Sequence, residues 1–187
     1  EAHSHGMKVA AHAHGLEGIK TAIIAGVDSI EHASYIDEET IELSKQKGTY
    51  LSMDIYVSDF ILGEGKDQGI LEESLEKERV VGKVQRQNFQ KSVKANAKIS
   101  FGTDAGIYPH GKNAIQFKYM VQWGMTPLQA IQASTIKTAE LFGLANIGNL
   151  KKGFEADIVG VEGNPLEDIT ILENVSFVMK DGIIFKQ

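Results

Sequence analysis

Six histidines occur in 187 residues, and five of them fall early: His3, His5, His12, His14 and His32, with His110 the sixth. Cysteine is absent, which excludes a thiolate metal site, a cysteine nucleophile and a disulfide framework. Clustered imidazoles without thiolates point to metal ligation by nitrogen and oxygen donors. His12 and His14 close the apolar run Val9-Ala10-Ala11. Residues two apart on a strand share a face, so both rings can reach one site. The competing reading is a pair of surface or cap histidines. His32 ends the run Ser29-Ile30-Glu31, and Asp104 follows Ile99-Ser100-Phe101-Gly102-Thr103. Taken singly, His32 reads as a hydrogen-bonded structural residue and Asp104 as a turn or cap residue. His3 and His5 share the spacing of His12 and His14, but Gly6 marks a helix end there. Side chains two apart on a helix diverge, so that pair reads as structural.

The elements that must position these groups are short. Strands are expected at Lys8–Ala13, Val27–Glu31, Thr49–Asp54 and Lys98–Gly102, and helices at Gly18–Ala25, Asp37–Lys47, Leu71–Ala97 and Asn113–Trp123. Thr126-Pro127-Leu128-Gln129 is a helix start, with Thr as N-cap, Pro in the first turn and Gln three residues on. A further short helix is expected from about Thr135 to Phe142. Residues 55–70, with Gly63, Gly65 and Gly69, read as one long connection of the kind that serves binding sites. Alternating strands and helices imply parallel βαβ units and an α/β architecture. In such folds the strand carboxyl ends open on one face, where sites are built. His12, His14, His32 and Asp104 occupy the ends of three different strands, which favours one shared site. His110 and Tyr108, in the loop just beyond Asp104, are substrate-contact candidates. Asp54, ending the third strand, either reads a cationic substrate group or is a solvated turn residue.

After about Gly148 the pattern changes. Ala156–Val161, Val175–Lys180 and Ile183–Lys186 read as strands, with Asp181-Gly182 a hairpin turn. The division is therefore residues 1–147 and 148–187. Lys and Arg total 19 against 25 Asp and Glu, a net charge of −6, with 42% hydrophobic residues. This is a globular composition with no basic block, which argues against nucleic acid or an anionic membrane as partner. No apolar run is long enough for a membrane span. The absence of cysteine fits any compartment, so localisation stays open.

Together these residues resemble the amidohydrolase superfamily of metal-dependent hydrolases, closest to its Xaa-Pro dipeptidase and imidazolonepropionase-like branch. Val9-Ala10-Ala11-His12-Ala13-His14-Gly15 resembles the fifth strand of that family's (β/α)₈ barrel. Ser29-Ile30-Glu31-His32 resembles the sixth, Leu51-Ser52-Met53-Asp54-Ile55-Tyr56 the seventh, and Phe101-Gly102-Thr103-Asp104-Ala105-Gly106 the eighth. Gly148-Asn149-Leu150, Gly153, Ala156-Asp157-Ile158-Val159 and Asn164-Pro165 resemble its closing β-sandwich segment. The resemblance implies the C-terminal half of a TIM barrel, units five to eight, plus part of a small β-sandwich.

It also implies His12, His32 and Asp104 as ligands of a divalent metal, most simply zinc, with Asp104 as proton carrier and His14 as a neighbour. The implied chemistry is amide hydrolysis of small substrates such as Xaa-Pro dipeptides. The family's strand-one HxH pair and strand-four Lys have no counterpart. The strand-six and strand-eight residues follow His12/His14 in the order that the strand-five assignment, rather than the first pair, implies. One or two ions are implied for a complete barrel of about 250 residues, and at most one weakly held ion here. Imidazolonepropionase and aminohydrolase members place Glu three residues after the strand-five His. Gly15 stands there, with Glu17 two residues late, which favours a dipeptidase over a cyclic-amide hydrolase. Glu1 in place of Met suggests a chain beginning at the end of the fourth barrel helix. The rival expectation is a catalytically incompetent fragment that self-associates or needs a missing N-terminal half, because a half-barrel leaves sheet edges open.

Overall fold

The computed structural model describes residues 1–187. Four short strands, β1 (Ala10–Ala13), β2 (Ser29–His32), β3 (Tyr50–Ser52) and β4 (Ile99–Ser100), pair in chain order and all in parallel. The helices α1 (Leu16–Ala25) and α2 (Glu38–Lys47) return the chain between them. Each ends where glycine takes a left-handed conformation, Gly26 at φ 89° and Gly48 at φ 76°, a geometry that a Cβ disfavours. Asp37 caps α2 by accepting from the Thr40 amide at 2.8 Å.

The core lies between sheet and helices. Ile19 and Ile23 of α1, Ile30 of β2, Ile41 of α2 and Leu51 of β3 are completely or almost completely buried. Phe89, from α4 (Glu72–Lys94), and Met120, from α5 (Ile115–Gln122), close the same cluster. Fully burying one such side chain contributes roughly 1.5–3 kcal/mol.

Several elements differ from the sequence expectation. Within the presumed loop 55–70, α3 (Val57–Glu64) forms and packs on α4. Val57 and Phe60 face inward while Gly65 and Gly69 stand beyond its end. Glycine content hid a helix whose apolar residues are correctly spaced. The third and fourth strands are three and two residues rather than six and five.

Beyond α5, Thr126 and Gln129 make the expected capping box at the start of α6 (Pro127–Gln132). A wide π-type turn over Ala133–Lys137 joins it to α7 (Thr138–Phe142). The tail forms a separate antiparallel sheet of β5 (Ile158–Gly160), β6 (Phe177–Lys180) and β7 (Ile183–Lys186). Asp181 and Gly182 turn between β6 and β7 with positive φ at both positions, as the hairpin signature requires. A helical turn at Ile169–Glu173 carries buried Ile169 and rests on α5. No helix is long and apolar enough to cross a membrane.

Asp28 fastens the amino-terminal side of β1 and β2. Its carboxylate accepts from the Val9 amide at 2.8 Å, Lys8 Nζ at 2.8 Å and His3 Nε2 at 2.7 Å, which gives His3 the structural role expected for it. Burial alone pushes this carboxyl up, but the three donors outweigh burial and hold it at about 2 against an ordinary 3.8. The folded chain therefore binds this proton more weakly than the unfolded one. Its stabilisation is complete above the ordinary value and disappears as pH falls towards about 2. Allowing for the solvent-exposed Lys8 and His3, Asp28→Asn costs about 1–2 kcal/mol at pH 7. Denaturation midpoints at pH 7 and at about pH 2 read this directly: the difference between wild type and variant shrinks at the lower pH.

Candidate metal centre

Parallel pairing carries the ends of β1, β2 and β3 to one rim, where the residues after β4 join them. His12 is paired across from Glu31, and Ala13 from His32. The His12 and His14 ring centroids are 4.9 Å apart, and each lies 4.5 Å from that of His32. One donor atom from each of these three residues lies within 4.8 Å of the others. Donor atoms of His32, Asp54 and Asp104 form a second such group, sharing His32. All five residues line a cavity of about 260 Å³.

The backbone bends sharply to make this rim. His32 has φ 68°, Ala33 φ 49° and Asp104 φ 50°. Residues other than glycine rarely adopt this left-handed region, and holding them there costs of order 1–3 kcal/mol each. Strain of this kind persists where surrounding contacts impose it, and those contacts are visible. Asp54 is 4% exposed. Its Oδ1 accepts from His32 Nδ1 at 2.9 Å and from Gln85 Nε2 at 2.9 Å. Gln85, on α4, also donates to the His32 carbonyl at 3.1 Å. One turn on, Asn88 donates to the Ser34 carbonyl at 2.9 Å, and the Ser34 hydroxyl lies 2.9 Å from His14 Nδ1. Gln116 donates to the Met53 carbonyl and accepts from the Tyr56 amide, bracketing Asp54 on both sides.

Charge is distributed unevenly. Burial tends to lower the His32 pKa, but the hydrogen bond and charge of Asp54, with Asp104 adding to them, hold it above the usual histidine value. His14 is lowered by burial and by the two neighbouring imidazoles. Burial raises the Asp104 carboxyl, and Asp54 raises it further against the opposing pull of His32 and His12.

Of the residues singled out from sequence, His12, His14, His32, Asp54 and Asp104 converge. Asp54 is buried, engages His32 through Oδ1 and also lines the cavity, so it is not the solvated turn residue of the alternative reading. Tyr108 is buried in an aromatic cluster with Tyr56 and Phe60. His110 is exposed and does not line the cavity. Gln85, Asn88 and Glu78 of α4 were missed. For Gln85 and Asn88 a signal was available: with Ser92 they interrupt the buried stripe of α4 that Leu75, Val81 and Phe89 define.

The donor set fits a divalent cation. With Nδ1 of His32 engaged by Asp54, Nε2 is the nitrogen left to ligate, the usual carboxylate–histidine–metal arrangement. Imidazole nitrogens and carboxylate oxygens without sulfur suit zinc or a similar ion.

Residues 1–184 match the amidohydrolase family, and the chain belongs to it. Ochratoxinase of Aspergillus niger is 38% identical over 185 residues, 95% of this chain and 38% of that protein. A crystal structure of an Xaa-Pro dipeptidase with bound methionine in its active site superposes on the whole chain, with TM-score 0.94 and 42% identity, covering 46% of that chain. A prolidase complexed with N-methylphosphonate-L-proline also covers the whole chain, with TM-score 0.92 and 27% identity, over 47% of its own length. The chain thus spans under half the length of these relatives. Its fold is the C-terminal half of a (β/α)₈ barrel plus part of a small β-sandwich. The family typically uses a divalent metal.

Zinc titration monitored by calorimetry probes the rim. His12→Ala and His32→Ala each weaken binding by about tenfold or more, and affinity falls as pH drops and the imidazoles take up protons. Unchanged affinity in both variants would remove these residues from the ligand set.

Proposed function

We propose that this chain is the C-terminal part of a metal-dependent amidohydrolase that cleaves the amide bond of small substrates, Xaa-Pro dipeptides foremost. The observation that carries the reading is the convergence of His12, His32 and Asp104 from three strand ends, with donor atoms in two groups that share His32. Likeness to an Xaa-Pro dipeptidase at 42% identity supports the substrate class, and its bound methionine supports an apolar residue at the site. Ochratoxinase, at 38% identity, supports the hydrolase class more broadly.

His12, His32 and Asp104 would hold the cation, zinc by donor type. A bound divalent ion supplies Lewis-acid polarisation and a water of lowered pKa. Asp54 keeps the His32 ring oriented through Nδ1. Asp104, whose carboxyl burial raises above its ordinary value, takes a proton at a carboxylate oxygen and returns it to the departing amide nitrogen. His14, fixed by Ser34, borders the substrate. Tyr108 packs the loop beyond Asp104 in place from within its aromatic cluster, and His110 stands exposed on that loop.

Half a barrel does not complete this site. β1 and β4 each have one unpaired edge, and alternate residues of β1, Ala10 and His12, are exposed. In this reading the chain alone holds at most one weakly bound ion, turns over little or no substrate, and associates with itself or with the units that complete the barrel.

Proline release from a library of dipeptides separates the parts of the proposal. The full-length protein is expected to cleave Xaa-Pro members, with Asp104→Asn lowering kcat by about 10²–10⁴-fold. Cleavage confined to cyclic amides would contradict the substrate class. Robust turnover by the 187-residue chain would contradict its incompetence, and a monomeric mass in solution would contradict its self-association.

A further inference from the structure

A second cavity, about 580 Å³, abuts the one that holds the histidines. Its walls come from α3, α4, the loop between them and the loop after β2, with Ile61, Ile70, Val80, Val81 and Tyr35 supplying most of the surface. The size is that of a small-molecule pocket. His14, Ile61, Glu78 and Val81 line both cavities, so whatever enters the larger space reaches the rim past Glu78.

Glu78 is the unusual residue at this junction. Its carboxylate is partly buried and accepts a hydrogen bond from the Ser58 hydroxyl. It belongs to no ion pair, because the neighbouring Arg86 is turned to Asp59 and to the Ile55 carbonyl. Burial pushes the carboxyl up, more than Ser58 pulls it down. A partly buried carboxylate with one neutral donor keeps acceptor capacity facing the cavity. The arrangement is built. Ser58 is 1% exposed, and it reaches Glu78 because α4 carries Gly82 where α3 crosses. A Cβ at that position would overlap the Ser58 side chain and lie 3.2 Å from Glu78 Oε1. Glycine inside a long helix costs about 1 kcal/mol, and here it admits the close approach.

We propose that this cleft takes an apolar amino-acid side chain, with Glu78 receiving the free ammonium group beside it, so that the enzyme selects aminoacyl substrates with an unblocked amine. The proposal deepens the dipeptidase reading and rests on it for the placement of the scissile bond at the histidine rim. The wall chemistry picks the cation. A metal ion would need several oxygen donors, and a guanidinium would call for a planar bidentate partner already freed of Ser58. A primary ammonium needs one strong acceptor and tolerates apolar walls on its carbon side. Lys77 at the mouth adds a donor for a substrate carbonyl or carboxylate.

NMR titration of the 187-residue chain with two near-isosteric probes tests this, L-leucinamide carrying the amine and 4-methylpentanamide lacking it. The wild type is expected to bind L-leucinamide about tenfold more tightly or better, the gain of a charge-assisted hydrogen bond, with shifts at Ser58, Glu78 and Val81. Glu78→Gln keeps the shape and the Ser58 contact. It is expected to erase the difference while leaving 4-methylpentanamide affinity and zinc affinity unchanged. Equal binding of both probes by the wild type, no binding of either, or a preference that survives Glu78→Gln each overturns the proposal. A wild-type preference that Glu78→Gln abolishes, in a chain that fails to bind zinc at His12 and His32, would instead sustain the amine site and overturn the metal-hydrolase reading.

Discussion

Asp54 is a carboxylate taken almost entirely out of water, and such a group is tolerated only when its oxygens are engaged. The contacts that engage it organise the rest of the rim. Its bond to Nδ1 fixes the His32 ring and leaves Nε2 directed elsewhere. Gln85 adds a second donor to Asp54 Oδ1 and, by reaching the His32 carbonyl, also holds the backbone that carries the ring. Gln116 ties the residues on either side of Asp54 to α5. Remove the carboxylate and both an imidazole and an amide lose their partner at once.

The same contacts account for the strained backbone. Left-handed φ at His32 and Ala33 is unfavourable locally, and bonds from α4 to the His32 and Ser34 carbonyls hold that loop in place. The long helix thus has two functions. Its apolar face, with Leu75, Val81 and Phe89, supplies core. Its polar insertions at Gln85 and Asn88 hold the loops, and Gly82 brings α3 close enough to build the neighbouring cleft. Packing and site geometry are therefore not separable in this helix.

How far the sequence predicted these features follows from the range of the forces involved. Strand–helix alternation is local, so the parallel sheet, the capping box at Thr126 and the Asp181-Gly182 hairpin were all legible. So was the meeting of His12, His14, His32 and Asp104, because parallel topology sends strand ends to one side. The helix at Val57–Glu64 was not, since flanking glycines masked its spacing. The role of Asp54 was open between solvent and substrate, because its partners Gln85 and His32 are 31 and 22 residues away. Glu78 had no sequence signal, since its lack of a counter-charge depends on Arg86 turning to Asp59 instead.

Membership of the amidohydrolase family is consistent with this economy: strands fix the ligands and intervening helices tune them. Asp54 holds His32 with its Nδ1 protonated and its Nε2 free for a metal. Long-range ¹H–¹⁵N NMR of the histidine rings reads that tautomer directly. A protonated Nδ1 for neutral His32 and a large shift confined to its Nε2 on zinc addition are expected. A protonated Nε2, or zinc-induced change at Nδ1, would contradict that role of Asp54.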